Sequence, residues 1–284
     1  MAVDVRILAL LAALVPALLW LWFFYSRDRY EREPKSLIGK LFLWGLLSGF
    51  WAAGLNEFLF ALFGPQVNAA GEGGAITLAV TLLTAMVVLA ALNEETMKYL
   101  VTTNSTRNDP RFNELVDGMI YMTTAALGFA AGENFGYIMR AFVGTFRAAT
   151  EAGATSGQAG ASAFVAAFAV TAPLRALLST IGHVSWSGIT GYVLGRRIVG
   201  GGSARSVVFG LLAASALHTA YNLPQFLDPD DALLTPYFAA AVAIWAVSVG
   251  LYFLLLRKAL RASPFRREQL ARHGVPAAAA GSGG

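Results

Sequence analysis

Six side chains that can act as acids, bases or metal ligands lie inside apolar segments of the chain. They are Glu94, Glu95 and Lys98 in one segment, Glu133 in the next, and His183 and His218 in two further segments. A charge at bilayer depth costs about 2.5–3.5 kcal/mol on insertion scales, so such residues usually face the interior of a helical bundle and serve a pathway or a reaction. The function of the chain is therefore expected to depend on this set.

The spacing of the first three residues predicts an unequal pair of acids. Glu94 and Lys98 are four residues apart and Glu95 and Lys98 are three apart, so both carboxylates can reach Lys98 on one side of a helix. Lys98 can then neutralise one carboxylate while the other stays free to accept a proton. The alternative is an inert ion pair at a helix end, which the doublet of acids disfavours.

Glu133 follows two glycines that are four residues apart, Gly128 and Gly132. Such a spacing makes a small-residue face, against which a neighbouring helix can pack closely. Glu133 is therefore expected to face another helix and not lipid. Asn134 can serve packing or support the site, and Asp117, near the start of the same segment, is expected to orient a neighbour or to be solvated.

Two further pairs of polar residues suggest helical partners. Arg175 precedes His183 by eight residues, about 80° around an ideal helix, and can pair with a carboxylate or extend outward to the interface. His218 and Asn222 are four residues apart on one helical face. They could donate hydrogen bonds to the oxyanion that forms during acyl transfer, although each could also serve only packing.

Composition predicts an all-α polytopic membrane bundle. The 284 residues are 56% hydrophobic and 13% charged, whereas soluble domains carry about 25% charged residues. We expect one transmembrane domain over 1–262 and a disordered tail over 263–284, basic and then rich in Ala and Gly. The absence of cysteine excludes disulfides, thiol nucleophiles and cysteine-bound metals. The net charge of +4 does not predict nucleic-acid binding, because basic residues cluster at segment ends.

Seven apolar segments approach the roughly 20 residues that span a bilayer. They cover 5–25, 38–63, 76–100, 116–139, 172–195, 204–224 and 233–256. Lys and Arg concentrate in alternate loops and in the tail, which predicts an outside N-terminus and a cytoplasmic C-terminus. The apolar stretch 153–171 is expected to be external or re-entrant, because a further span would invert every later loop. The chain is thus expected to be multi-pass in a cell membrane, with a bacterial inner membrane as the expected location.

The ends of these seven segments predict that Glu94 lies at a different membrane depth from Glu133, His183 and His218. At about 1.5 Å per residue from the outer ends, Glu133, His183 and His218 lie roughly 10–16 Å deep. Glu94 lies roughly 20–27 Å deep on the same count. The four residues can meet only if the helix of Glu94 tilts, shifts outward or bends near 73–74.

Seven short motifs occur in order between residues 26 and 225. They are Asp28-x-x-Glu31-x-Glu33-Pro34, Glu94-Glu95-x-x-Lys98, Asp117-Gly118, Gly128-Phe129-x-x-x-Glu133-Asn134, Arg175 through His183, Gly188-x-x-Gly191-Tyr192 and His218-x-x-Tyr221-Asn222. Their order resembles the PrsW family of intramembrane proteases, relatives of the CAAX proteases and more distantly of APH-1. The long stretch 140–172 and Asn93, where some members carry a third acid, depart from the pattern.

The resemblance implies a protease that cuts membrane-anchored proteins, such as an anti-sigma factor, near or within the bilayer. It implies a catalytic set of Glu94, Glu95, Glu133, His183, His218 and Asn222, and a supporting set of Lys98, Asn134, Arg175 and Asp117. Glu94 would activate water, with Glu95 and Lys98 tuning it, and Glu133 would take the place of a histidine in CAAX proteases. His218 with Asn222 would stabilise the oxyanion, and His183 would orient water or substrate.

Three alternatives to a metal-free protease stay open. The same chemistry could use zinc, with Glu94, Glu133, His183 and His218 as ligands, since zinc generates a hydroxide at neutral pH. The chain could instead be a non-catalytic membrane scaffold, or a proton-coupled transporter that uses the acids as a relay. The expected partners are a membrane-anchored protein and lipid, and not nucleic acid.

Overall fold

The computed structural model describes residues 4–72, 76–226, 234–266 and 268, and in these residues the chain is helical without a β-strand. It forms seven long helices: α1 Val5–Tyr25, α2 Lys35–Glu72, α3 Ile76–Thr106, α4 Leu115–Glu151, α5 Ser156–Ile198, α6 Ala204–Asn222 and α7 Leu234–Ala262. A short 3₁₀ turn, Leu223–Phe226, follows α6. The predicted all-α membrane bundle is confirmed. Most of the predicted tail, and the predicted bend near 73–74, lie outside the described residues.

Six of these helices are long and apolar enough to cross a membrane. The sequence analysis predicted seven spans, and the exception is α6. It forms within the predicted range of 204–224, but it carries Arg205, His218 and Asn222, which make it less apolar than its neighbours. The helix packs against α3, α5 and α7, so its polar residues have protein around them.

The stretch 153–171, which was predicted to be an external or re-entrant segment, forms the beginning of α5 and not a separate re-entrant element. Thr155 caps this helix: its hydroxyl accepts the Gln158 backbone N–H, and the Gln158 side chain accepts the Thr155 backbone N–H. The alanine-rich residues that follow favour helix. Ala167 and Phe168 pack with Ile138 on α4. Helices α4 and α5 therefore form one long antiparallel hairpin, and no additional span is inserted.

Helix α4 lies at the centre of the bundle, with nearly every side chain of its first twenty residues buried. It crosses α2 through two glycines on each helix. A Cβ atom at Gly45 would lie 2.3 Å from the Ala125 carbonyl oxygen, and one at Gly128 would lie 2.1 Å from that of Phe42. Gly49 and Gly132 are equally close to the facing backbone. The predicted small-residue face is confirmed, because only glycine permits this approach.

A second glycine contact joins α4 to α5. A Cβ at Gly118 would lie 2.3 Å from the Gly191 carbonyl oxygen, and Gly195 meets the backbone of Leu115. Both neighbours of α4 are therefore held within van der Waals distance of its backbone. This close packing sets the height of Glu133 on α4 against the helices that carry its partners.

The loops rich in Arg and Lys meet at one end of the bundle, called here the basic end. A surface depression there is lined by Asn113 before α4, Gly200 between α5 and α6, and Ala262 at the end of α7. Another is lined by Arg27 after α1 and by Arg257 on α7. The helix ends that were predicted to share one side of the membrane therefore do share one end of the bundle.

Candidate active site

Helix α3 brings two carboxylates with opposite surroundings into the bundle. Lys98 is fully buried, and its Nζ lies 2.6 Å from Glu95 Oε1. Glu95 Oε2 accepts the Ser187 hydroxyl at 2.8 Å. Glu94 points to a different side, where Asn56 Nδ2 donates to its Oε1 at 2.9 Å and its Oε2 is buried without a hydrogen-bond partner in the described residues. The spacing of these residues thus gives one neutralised acid and one free acid, as predicted, but Glu95 and Lys98 do not contact Glu94 through a hydrogen bond or ion pair that the structure records.

Glu133 is held by the cation that the sequence placed on α5. Arg175 forms an ion pair with Glu133, and its Nε donates to Asn134 Oδ1 at 2.7 Å. Asn134 Nδ2 in turn donates to Thr180 Oγ1 at 3.0 Å, and the Arg175 guanidinium lies 3.6 Å from the centre of the Tyr137 ring. Of the two open possibilities for Arg175, the structure adopts the carboxylate pair. Asn134 positions that arginine.

Two π-helical turns occur in α5, Val165–Thr171 and Arg175–Ser179, and the second one changes the register between Arg175 and His183. Their i→i+5 geometry frees backbone carbonyls, which need other donors in a membrane. The Trp20 indole of α1 donates to the Ala176 carbonyl at 3.1 Å, and Trp245 of α7 donates to that of Leu178 at 2.8 Å. Tryptophans from two helices therefore support the turn that aims Arg175 at Glu133.

His183 links the two groups of charges. Its Nδ1 lies 2.8 Å from Lys98 Nζ, and its Nε2 lies 3.0 Å from Glu133 Oε2. Because an ammonium can only donate, the neutral ring accepts at Nδ1 and donates from Nε2 to Glu133. A continuous chain of hydrogen bonds therefore runs from Glu95 through Lys98 and His183 to Glu133.

His218 lies against the two acids of α3, Glu94 and Glu95. Its Nδ1 is 3.2 Å from Glu95 Oε1, and its Nε2 is 3.6 Å from Glu94 Oε2. The ring stacks on Trp186 with centroids 4.3 Å apart and lies 4.9 Å from the His183 ring. Glu95 orients His218 so that the lone pair of Nε2 faces Glu94 when the proton is on Nδ1.

A cavity of 360 Å³ opens onto these groups between α2, α3, α4 and α6. It is lined by Ala53, Asn56, Glu57, Phe60, Val87, Ala90, Glu94, Glu133, Gly136, Tyr137, Arg140 and Asn222. Glu57 and Arg140 form an ion pair between α2 and α4 among these lining residues, and both side chains are more than half exposed. Asn222 faces the cavity, whereas His218 is buried behind it and forms no recorded pair with Asn222.

Glu94 reaches the level of its partners because α3 ends at Thr106 and not at residue 100. From the basic end, Glu94 lies twelve residues along α3, Glu133 eighteen along α4, and His183 fifteen along α5. At about 1.5 Å per residue, these heights fall between roughly 18 and 27 Å. The six extra residues of α3 account for about 9 Å of the predicted difference in depth.

Comparison with known proteins identifies the family of this chain. The family model for PrsW family intramembrane metalloproteases matches residues 33–267 of the chain. The chain belongs to this family. It is a multi-pass membrane protein and a peptide hydrolase that acts on protein substrates.

Curated PrsW relatives match most of the chain at low identity. Protease PrsW of Geobacillus kaustophilus is 26% identical over 263 residues, which cover 91% of this chain and 93% of the relative. Protease PrsW of Bacillus subtilis is 25% identical over 213 residues, 74% of this chain and 79% of the relative. That of Clostridioides difficile is 34% identical over 130 residues, 45% and 49% of the two chains. No solved structure matches the chain significantly.

The donor set fits the metal ion that the PrsW family description implies. Glu94, His183 and His218 each offer a ligand atom, and these atoms lie within 4.8 Å of one another. Glu94 Oε2 is an unpartnered buried oxygen and His218 Nε2 faces it, so both fit as they stand. His183 fits once one of its two hydrogen bonds is released. Glu133, the fourth ligand in the predicted set, is outside this triad and is paired with Arg175.

Asp117 is the one supporting residue that the structure places away from the site. It lies sixteen residues before Glu133 on α4, about 24 Å along the helix. Its Oδ2 accepts the backbone N–H groups of Asn113 and Glu114 at 2.9 and 2.8 Å, so it caps the helix. Asp117 is fully buried, and the predicted solvated role is therefore wrong.

Asp117 belongs to a second group of buried acids at the basic end, called here the basal cluster: Asp28, Glu33, Glu114 and Asp117. Glu33 accepts the Tyr121 hydroxyl, and Asp28 Oδ2 accepts the Glu33 backbone N–H at 3.1 Å. Burial raises the pKa of Asp28 to about 7 and the pKa of Glu114 to about 7. It also raises the pKa of Glu33.

Sequence reasoning missed Asn56, Ser187 and Trp186. Asn56 is a polar residue inside the apolar segment 38–63, and that signal could have identified it. Ser187 and Trp186 lie on the same helix as His183, where nothing in their spacing separates them from packing residues.

Proposed function

We propose that this protein hydrolyses a peptide bond of a membrane-anchored protein inside the 360 Å³ cavity, using a zinc ion and Glu133. The observation that carries the proposal is the convergence of Glu94, His183 and His218 beside Glu133. Two imidazoles and one carboxylate are a usual protein ligand set for catalytic zinc, which leaves a further position for water. When bound, zinc lowers the pKa of its water and polarises the carbonyl that is attacked.

The ligands are proposed to be the three residues of the triad. His218 would use Nε2, because its Nδ1–H is directed to Glu95, an arrangement common for metal-bound histidines. His183 would bind through Nδ1, whose lone pair now accepts from Lys98, and would keep its Nε2–H on Glu133, which also retains Arg175 as a partner. This assignment differs from the role in an oxyanion hole that the resemblance implied for His218.

Glu133 would act as the general base. It lines the cavity, and its ion pair with Arg175 fixes it in place, so its carboxylate can accept a proton from the attacking water and pass it to the leaving amine. Asn222 lines the same cavity and has an amide that can donate to the oxygen of the tetrahedral intermediate. Glu95 would hold the His218 imidazole in the orientation the reaction needs, and Lys98 would neutralise Glu95.

The basic end is proposed to face the cytoplasm, since positively charged loops stay on that side. The cavity then lies nearer the outer face of a bacterial inner membrane. An anti-sigma factor with one transmembrane helix is the substrate class that the family resemblance suggests. Cleavage would occur in the outer part of that helix.

The test separates ligands from base. Purified protein is incubated with a membrane-anchored test protein, and zinc is measured in the same samples. We expect Glu94→Gln and His218→Ala to lose both zinc and cleavage. Glu133→Gln should keep zinc and lose cleavage by about 10²–10⁴-fold, the usual contribution of a general base.

Glu114→Gln, a buried acid in the basal cluster, is the matched control and should keep zinc and cleavage. Wild-type cleavage in protein free of metal would overturn the zinc-dependent mechanism. Wild-type rates in Glu94→Gln and Glu133→Gln would overturn the site.

A further inference from the structure

Asn56 on α2 reaches the site because of the glycine crossing below it. It lies seven residues, about two helical turns, beyond Gly49 and therefore on nearly the same face of the helix. Past the crossing, α2 and α4 carry Phe50 and Phe135, whose rings meet edge to face at 5.8 Å. The cavity begins beyond this pair, and Asn56 is one of its lining residues.

The two ends of the Asn56 amide are used unequally. Its Nδ2 donates to Glu94 Oε1 at 2.9 Å, which fixes the direction of the amide. Its Oδ1 is buried and accepts no hydrogen bond from the described residues. A buried acceptor without a partner is costly, and its presence beside a reactive group indicates that a ligand supplies the missing donor.

A substrate backbone has the donor that this acceptor lacks. In a transmembrane helix every internal N–H is bonded to a carbonyl of the same helix. The segment to be cut must leave that helix so that the attacked carbonyl can be reached, and its freed N–H groups then need acceptors within the membrane. Ala53, Ala90 and Gly136 also line the cavity, and their small side chains leave room for a backbone to approach.

We propose that Asn56 is a substrate-binding residue: its Oδ1 accepts a backbone N–H from the unwound segment next to the bond that is cut, while its Nδ2 fixes Glu94. The inference rests on the proposed function and names one contact of the substrate. It explains why a neutral amide faces the cavity, since it can hold Glu94 and accept from a peptide at the same time. An aspartate there would repel Glu94, and an aliphatic residue would do neither.

The experiment uses a synthetic transmembrane peptide with two central glycines, and a series in which each central N–H is replaced in turn by an ester oxygen. Binding of each peptide is measured by fluorescence anisotropy in detergent. Two proteins are compared, the single variant Glu133→Gln and the double variant Glu133→Gln/Asn56→Leu. We expect one ester position to weaken binding to the Glu133→Gln protein by about 10-fold. The same ester should weaken binding by less than about twofold once Asn56→Leu is present.

Asn104→Leu, an exposed asparagine on α3, is the matched control and should keep the ester sensitivity. Thermal unfolding checks that each variant is folded. The binding measurement is repeated with Asn56→Ser, whose side chain is too short to reach the substrate. Equal ester sensitivity with and without Asn56→Leu or Asn56→Ser would overturn the inference and leave the protease intact. If wild-type protein binds the peptide with the expected ester pattern but never cleaves it, the proposed function fails and the binding role of Asn56 is supported.

Discussion

The molecule buries carboxylates in two places, and the two groups have different partners. At the candidate active site, Glu95 and Glu133 are each paired with a cation and with an imidazole. In the basal cluster, Asp28 and Asp117 accept backbone N–H groups, and Glu33 accepts a tyrosine hydroxyl. Both groups contain residues from the motifs of the family resemblance, but only the first one meets histidines and an open cavity.

The comparison shows that burial of acids does not by itself mark a reactive site. Backbone donors in the basal cluster fix a loop and begin a helix, which is a structural task. Buried ammonium, guanidinium and imidazole groups around Glu95 and Glu133 keep charge and exchangeable protons in a fixed arrangement. The difference between the clusters can be tested by removing one partner from each.

The largest effect on stability is expected from Lys98→Met. The substitution leaves Glu95 buried without its ammonium partner. Loss of one member of a buried ion pair lowers the free energy of unfolding by about 3–5 kcal/mol. Thermal or denaturant unfolding in detergent measures the loss. The double variant Lys98→Met/Glu95→Gln removes the unpaired charge and should recover much of it. A single variant as stable as the wild type would show that the pair does not hold the site together.

A smaller effect is expected from Tyr121→Phe in the basal cluster. It removes the hydroxyl that Glu33 accepts, and an unsatisfied buried group costs about 1–3 kcal/mol. Substrate cleavage should stay at the wild-type rate, because the site lies about 18 Å further along α4. Loss of cleavage in a variant that remains folded would contradict the separation of the two clusters.

The smallest effect is a dependence of stability on pH. The folded-state pKa of Asp28 and of Glu114 is about 7, above the ordinary values of 3.8 and 4.5, so the folded state holds more protons between those values. The stability that Asp28 and Glu114 contribute should therefore decrease as pH rises from about 4 to about 7. The unfolding midpoint across this range measures it.

Asp28→Asn should flatten that slope. Asp109→Asn is the matched control, since hydrogen bonding to Arg111 lowers the pKa of Asp109 and removes its titration from this range. A slope in Asp28→Asn that equals that of the wild type would contradict the protonated basal cluster.

Much of the fold was predictable, because apolar length and glycine spacing carry the information locally. The helix α1 begins and ends as predicted, and the glycines of α4 meet α2 as their spacing indicates. Helix ends were less predictable. The residues 101–106 of α3 are polar enough to suggest a loop, yet Thr102 and Thr106 bond back to the preceding turn and continue the helix.

The site was predictable in its residue types and only partly in its pairings. Lys98 pairs with Glu95 and not with Glu94, and this pairing depends on Ser187 and His218, which contact Glu95 from other helices. The pairing of Arg175 and His183 with the same carboxylate depends on π-helical turns, and an ideal α-helix would separate the two by about 80°. Such contacts are tertiary, and a single sequence does not record them.

The π-helical turns of α5 have a consequence for chain length. Each one accommodates about one residue more than an α-turn, so deleting a single residue within 165–171 should convert that turn to regular helix. Because the wide turn holds the extra residue, the deletion would leave the residues before it at about the same angle about the helix axis, with Arg175 and His183 in place. The same deletion in the regular helix Ser156–Phe164 would turn everything before it by about 100°. The α4–α5 hairpin should therefore keep its packing after a deletion within the π-helical turn, and should have to repack after a deletion in the regular helix.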